Sequence, residues 1–142
     1  RSGELSGNLL AGRALYCLFY EPSFLTRTSF ERAMSLLGGQ IQFTMDASQF
    51  FPVCSNSYIE DTIKFLASLH FDLVALRCCR TGGVNAAADA NVIPVISAGS
   101  DLDHPTQALL DIYTGRRALR QDGYSVENAW LMMTGSGTLQ GR

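Results

Sequence analysis

Residues 13–44 read RALYCLFYEPSFLTRTSFERAMSLLGGQIQFT, and this stretch sets the fold class. Arg13–Tyr20 is an apolar run of strand length, ended by Glu21-Pro22-Ser23. Over Thr26–Leu37 the pattern changes: Phe30, Ala33, Met34 and Leu37 recur at helical spacing, and Gly38-Gly39 stops the helix. Gln40–Thr44 is then a short second strand. Apolar strand-length runs alternating with helical patterns argue for a parallel α/β sheet.

The same alternation continues downstream. Phe50–Ser57 reads as a loop, and Ile59–Leu69 as a helix with Ile59, Ile63, Leu66 and Ala67 inward. Asp72–Leu76 (DLVAL) is a buried third strand. Gly82–Ala90 is a small-residue helix, Ile93–Ser97 a fourth strand and Ala98–Asp103 a loop. A long helix is expected over Pro105–Gln121, with proline at the first turn, where its missing N–H would lack a partner anyway. Ala129–Thr134 (AWLMMT) resembles a fifth strand running into Gly135-Ser136-Gly137. A strand with no following helix is an incomplete βα unit, so the segment is expected to be part of a longer protein. The expected fold is therefore α/β: a parallel sheet of about four strands flanked by helices, plus the first strand of a second domain. The boundary is placed between residues 1–125 and 126–142.

Composition narrows the class. The 142 residues are 46% hydrophobic and 17% charged, as in globular domains. A net charge of −2 offers no basic footprint for nucleic acid and no polybasic strip for a membrane. No apolar run reaches the roughly 18 residues of a membrane span, and the N-terminus lacks a signal-peptide layout. Cys17, Cys54, Cys78 and Cys79 form no CxxC pair, so free thiols in a reducing cytoplasm are expected, with no metal site. The basic residues are ten Arg and a single lysine, Lys64.

The turn after the first strand is rich in hydroxyls: Ser23-Phe24-Leu25-Thr26-Arg27-Thr28-Ser29. Free N–H groups and the positive end of a helix dipole make such a turn a natural seat for phosphate. Ser23, Thr26 and Thr28 can add hydroxyl donors, and Arg27 can add charge. Plain helix capping by Ser23 or Thr26 is the more usual role of such residues. Arg77 ends the third strand, where ligands bind in parallel α/β sheets; a surface arginine after a strand is the alternative. His104 opens the long helix, where the dipole keeps it neutral and its N–H can donate to a developing oxyanion. Alone, a histidine there is more often a helix cap. Gln107 lies one turn on, and His70, in Leu69-His70-Phe71, reads as structural.

Several segments, in order, resemble one family. FYEPSFLTRTSFERAMSLLGG is similar to the phosphate-binding segment of carbamoyltransferases, F-x-E-P-S-T-R-T-R-x-S-F-E-x-A. Aligned without gaps, Ser23 and Thr26 match the first Ser and second Thr, and Ser29-Phe30-Glu31 match the helix. Phe24 falls where acetylornithine-type members carry a bulky apolar residue. Leu25 stands where the family has the arginine that grips phosphate, and Arg27 falls on its second, more structural arginine. A shifted alignment sets Thr26-Arg27-Thr28 on the family's Thr-Arg-Thr but needs a compensating insertion and deletion. Residues 55–62 (SNSYIEDT) are similar to a mobile loop, K-G-E-S-x-x-D-T, with Ser55 at the lysine. Leu76-Arg77-Cys78 resembles the end of Val-Ile-Arg-His, with Cys78 for His. Pro94–Gly99 and His104–Thr114 resemble V-P-V-I-N-A-G … H-P-T-Q-A-L-L-D-x-Y-T nearly residue for residue.

The resemblance to aspartate/ornithine carbamoyltransferases implies transfer of a carbamoyl group from carbamoyl phosphate to an amino group of an amino acid. It implies His104 and Arg77 as catalytic residues. Ser23, Thr26, Arg27, Arg77, His104 and Gln107 are implied to bind carbamoyl phosphate, Gln107 through the carbamoyl NH2. It implies no metal or organic cofactor, and a homotrimer in which the loop lysine completes a neighbour's site. Leu25 and Ser55 remove two positive charges from a seat for a dianion. At roughly 1.5–3 kcal/mol per charge-assisted bond, affinity is expected to fall by about two or more powers of ten. Three readings follow: a working transferase, a degenerate homologue serving as a structural or regulatory subunit, or a mixed oligomer whose paralogue supplies the cations.

Overall fold

A computed structural model describes residues 7–44, 46–50 and 55–125. Four parallel strands, β1 (Ala14–Phe19), β2 (Gln40–Thr44), β3 (Leu73–Cys78) and β4 (Val95–Ser100), form one sheet in the order β2-β1-β3-β4. The helices are α1 (Phe24–Leu36), α2 (Ala47–Phe50), α3 (Asn56–Ser68), α4 (Gly83–Asp89) and α5 (Pro105–Gln121). The expected α/β sheet of four strands flanked by helices is what forms. The expected fifth strand, Ala129–Thr134, lies outside the described residues.

Side-chain alternation assigns the two faces. Leu15, Cys17 and Phe19 of β1 pack with Met34 of α1, Ala75 and Ala98. Leu18 and Tyr20 point the other way, into Ile59, Ile63 and Leu66 of α3 and Ala87 of α4. Both faces of the central strands are covered, as parallel strands require. Each fully buried Ile or Leu contributes on the order of 1.5–3 kcal/mol. At the amino edge, Asp72 ties β3 to β1: one carboxylate oxygen accepts from Arg13 at 2.7 Å, the other from the Ala14 N–H at 2.8 Å.

Several boundaries differ from the sequence reading, each for a local reason. α3 begins at Asn56, not Ile59, because the Ser55 hydroxyl accepts the Tyr58 N–H and caps the helix three residues earlier. β4 continues through Ala98-Gly99-Ser100, residues read as loop, because strand pairing persists to Cys78↔Ser100. α1 starts at Phe24, so Thr26 sits inside its first turn. Gly38, at φ +80, ends that helix where a Cβ would lie 2.4 Å from the carbonyl oxygen of Gly7. His70, at φ +63, is the left-handed residue that terminates α3, consistent with its structural reading.

The strand order places the site. The chain moves from β1 outward to β2, then back past β1 to β3, so the direction reverses between β1 and β3. In open α/β sheets the crevice at that switch point, beyond the carboxyl ends of the strands, is where ligands sit. Ser23 follows β1, Arg77 lies near the end of β3, and His104 follows β4.

Candidate active site

α1 opens toward this crevice with an incomplete N-terminus. Ser23 is its N-cap in extended geometry (φ −147°, ψ 98°), yet its hydroxyl caps no N–H of the helix, and the first turn holds no acidic side chain. Helix dipole and N–H groups therefore meet the crevice with no acidic side chain in that turn to offset them. Beside Ser23, Phe24 and Leu25 are 75% and 79% exposed. An apolar pair thus stands at the mouth where the sequence reading sought a cation.

Thr26 and His104 meet across the crevice. The Thr26 hydroxyl oxygen is 3.4 Å from His104 Nε2. His104 is the N-cap of α5, its Nδ1 accepting the Gln107 N–H at 3.3 Å, with the Thr106 hydroxyl also 3.3 Å away. A ring nitrogen that accepts a backbone N–H carries no proton, so the neutral imidazole holds its proton on Nε2 and aims it into the crevice. Capping and donation are thus done by different atoms of one ring. The turn before it is fixed by Ser100, whose hydroxyl accepts the Leu102 and Asp103 N–H groups and donates to the Asp103 carboxylate at 2.9 Å.

Arg77 reaches the same place from β3. Its Nη1 donates to the Ala98 carbonyl at 3.2 Å, while its Nε is buried with no partner. An unpaired buried guanidinium N–H costs on the order of 1–3 kcal/mol, more for a charged group, which an incoming anion would relieve. Gly99 separates Arg77 from His104: a methyl there would lie 2.5 Å from Arg77 Nη1 and 3.0 Å from His104 Cδ2. Guanidinium and imidazole therefore border one point. Glu21 holds the neighbouring β3–α4 turn by accepting the Cys79 N–H at 3.0 Å.

Two of the expected ligand residues are engaged elsewhere. Arg27 Nε lies 3.1 Å from Glu31 Oε1, and its guanidinium sits over the Phe43 ring at 4.7 Å, bracing α1 against β2. Gln107 is exposed and donates its amide to Asp111 at 2.9 Å, one turn along α5. Ser55, at the lysine position of the resembling loop, is a helix cap. The sequence reading missed Gly99. Its signal, a glycine in a run otherwise of strand character, was present but unread.

The comparisons with known proteins agree with this fold. Residues 2–117 match the family described as aspartate/ornithine carbamoyltransferase, carbamoyl-P binding domain. The chain belongs to that family. The chloroplastic aspartate carbamoyltransferase of Arabidopsis thaliana is 42% identical over 120 residues, 83% of this chain and 30% of that protein. The aspartate carbamoyltransferase catalytic subunit of Methanosarcina barkeri is 37% identical over 128 residues, 89% of this chain and 41% of that protein. Among solved structures, aspartate transcarbamoylase from Trypanosoma cruzi in complex with carbamoyl phosphate and aspartate superposes with a TM-score of 0.68. It is 37% identical, over 79% of this chain and 36% of its own. The chain spans about a third of the length of these relatives. Within the carbamoyltransferase family, then, residues 2–117 correspond to the carbamoyl-phosphate-binding domain. Among the described residues, no helix is long and apolar enough to cross a membrane, and no group of His, Cys, Asp and Glu is placed to hold a metal.

Proposed function

We propose that this chain is the carbamoyl-phosphate half of a carbamoyltransferase that carbamoylates an amino acid, with L-aspartate as the acceptor. The observation that carries the reading is the convergence of the His104 Nε2–H, the Thr26 hydroxyl and the Arg77 guanidinium at the switch point of the sheet. Aspartate rather than ornithine is supported by the relatives, which are named for aspartate. In this reading residues 1–125 bind the donor, and residues 126–142 begin the part that selects the acceptor.

The amine nitrogen attacks the carbamoyl carbon, and negative charge grows on the carbonyl oxygen. His104 Nε2–H and Thr26 donate to that oxygen, Ser23 and the α1 N-terminus face the phosphate, and Arg77 bridges the two. The C–O bond to phosphate then breaks, and phosphate departs with its electron pair and takes up the proton that the amine nitrogen sheds. Catalysis of this kind is positioning and preorganised electrostatics. Arg27 acts at one remove by holding α1, and Gln107 must swing from Asp111 to reach a carbamoyl NH2. A homotrimer is part of the proposal, as is a reducing, aqueous compartment; a cytoplasmic location is our reading, although the plant relatives are named chloroplastic.

Leu25 and Ser55 favour a second reading, in which the fold persists as a structural or regulatory subunit without turnover. Calorimetry with carbamoyl phosphate on the full-length protein separates the two, with a Leu25→Arg, Ser55→Lys double variant alongside. Binding by the variant but not by wild type ends the enzyme reading. Equal binding by both would show that the two lost cations do not limit affinity.

A further inference from the structure

We infer that Gly99 is a positioning residue: at an irregularity in β4 opposite Arg77, its missing side chain lets guanidinium and imidazole converge. The inference rests on the reading of Arg77 and His104 just proposed, and deepens it.

Three observations carry it. First, the pairing of β3 with β4 runs Leu76↔Ser97 and then Cys78↔Ser100, so Ala98 and Gly99 stand opposite the single residue Arg77. An extra residue of this kind bends the strand and re-aims side chains. Second, Gly99 is buried at φ +122, a backbone conformation that L side chains rarely adopt. Third, a methyl at Gly99 would meet Arg77 Nη1 at 2.5 Å, Arg77 Cζ at 3.3 Å and His104 Cδ2 at 3.0 Å. At the first of these distances the end of the Arg77 side chain must move aside.

The bulge therefore does two things at once. The Ala98 carbonyl accepts from Arg77 Nη1 and turns the guanidinium across the end of β4. The bare Cα next to it leaves the space that both charged group and ring occupy. Ser100 then accepts the N–H groups of the turn that delivers His104. Three consecutive residues, 98 to 100, thus set both functional side chains.

Backbone strain alone must be separated from this role. Gly12 also has a positive φ, +78, but open space where its Cβ would lie, so Gly12→Ala imposes strain without a clash. The experiment uses the full-length protein. In ligand-free samples, nitrogen NMR of the His104 ring is expected to change in Gly99→Ala and not in Gly12→Ala. Calorimetry with carbamoyl phosphate then runs a cycle of wild type, Gly99→Ala, Arg77→Ala and both. Gly99→Ala is expected to weaken binding by about tenfold or more, but to add less than about twofold in the Arg77→Ala background.

Additive losses, or an unchanged His104 signal in a folded Gly99→Ala protein, overturn the inference. Should Gly99→Ala fail to fold, the Arg77→Ala, Gly99→Ala protein is expected to fold because the shortest contact, 2.5 Å to Arg77 Nη1, is gone and only the 3.0 Å approach to His104 Cδ2 remains; its failure would assign the effect to strain and reject positioning. Should wild type not bind carbamoyl phosphate, the proposed function fails, and the His104 signal alone then decides the role of Gly99.

Discussion

The Thr26 hydroxyl oxygen lies 3.4 Å from His104 Nε2, although 78 residues separate them in the chain. At that length the contact is a loose hydrogen bond, longer than the usual range for such donors. A carbonyl oxygen between the two can take both donors. His104→Ala is therefore expected to lower kcat by about 10²–10³-fold, the cost of losing an oxyanion donor. Thr26→Val is expected to cost less, about tenfold, because the ring keeps its Nε2 proton through Gln107. Steady-state rates of the full-length protein with carbamoyl phosphate and L-aspartate test this; a Thr26→Val loss exceeding that of His104→Ala would sink it.

Asp72 is the acid-sensitive link between β1 and β3. The Ala14 N–H, and then Arg13, hold its carboxyl below the usual carboxylate range. A depressed carboxylate stabilises the fold above its unfolded pKa, and that stability is lost as pH falls through the folded value. Below about pH 4, wild type is expected to lose its advantage over Asp72→Asn progressively. Urea midpoints for both proteins across pH 3–7 give the comparison. A gap that stays constant, or widens on acidification, contradicts the assignment.

Ile63 is fully buried between the sheet and α3. Ile63→Ala is expected to destabilise the fold by about 2–5 kcal/mol, through lost transfer energy and the cavity left behind. The exposed Leu102→Ala should stay within about 0.5 kcal/mol of wild type. Denaturant unfolding of both variants decides whether α3 belongs to the core as described.

The thiols differ sharply in setting. Burial, and secondarily the charge of Glu31, push the Cys17 thiol up to about 12. Burial raises Cys78 as well, whereas Cys79 is exposed. Because the thiolate is the nucleophile, brief iodoacetamide treatment at pH 8 is expected to label Cys79 at least about tenfold faster than Cys17 or Cys78. Peptide mass mapping reads the ratio, and similar rates at all three would show that the β1 and β3 interiors open readily.

Much of this protein was legible in its sequence. Hydrophobic spacing, Gly38 and Pro105 mark the strands and helices, because alternation and capping are local physics. Ser23, Arg77 and His104 could be assigned to the carboxyl edge of the sheet for the same reason: each follows or ends a strand. Partner choice is not local. Whether Arg27 met a ligand or a neighbour depended on Glu31 and on Phe43 from β2, and Gln107 found Asp111 on its own helix. Ser55 caps α3, which therefore starts earlier than its apolar face shows. Above all, the meeting of Thr26, Arg77 and His104 needed the order β2-β1-β3-β4, with the bulge at Gly99 to aim two of them. Periodicity names which face a residue joins; only the packed sheet sets what waits there.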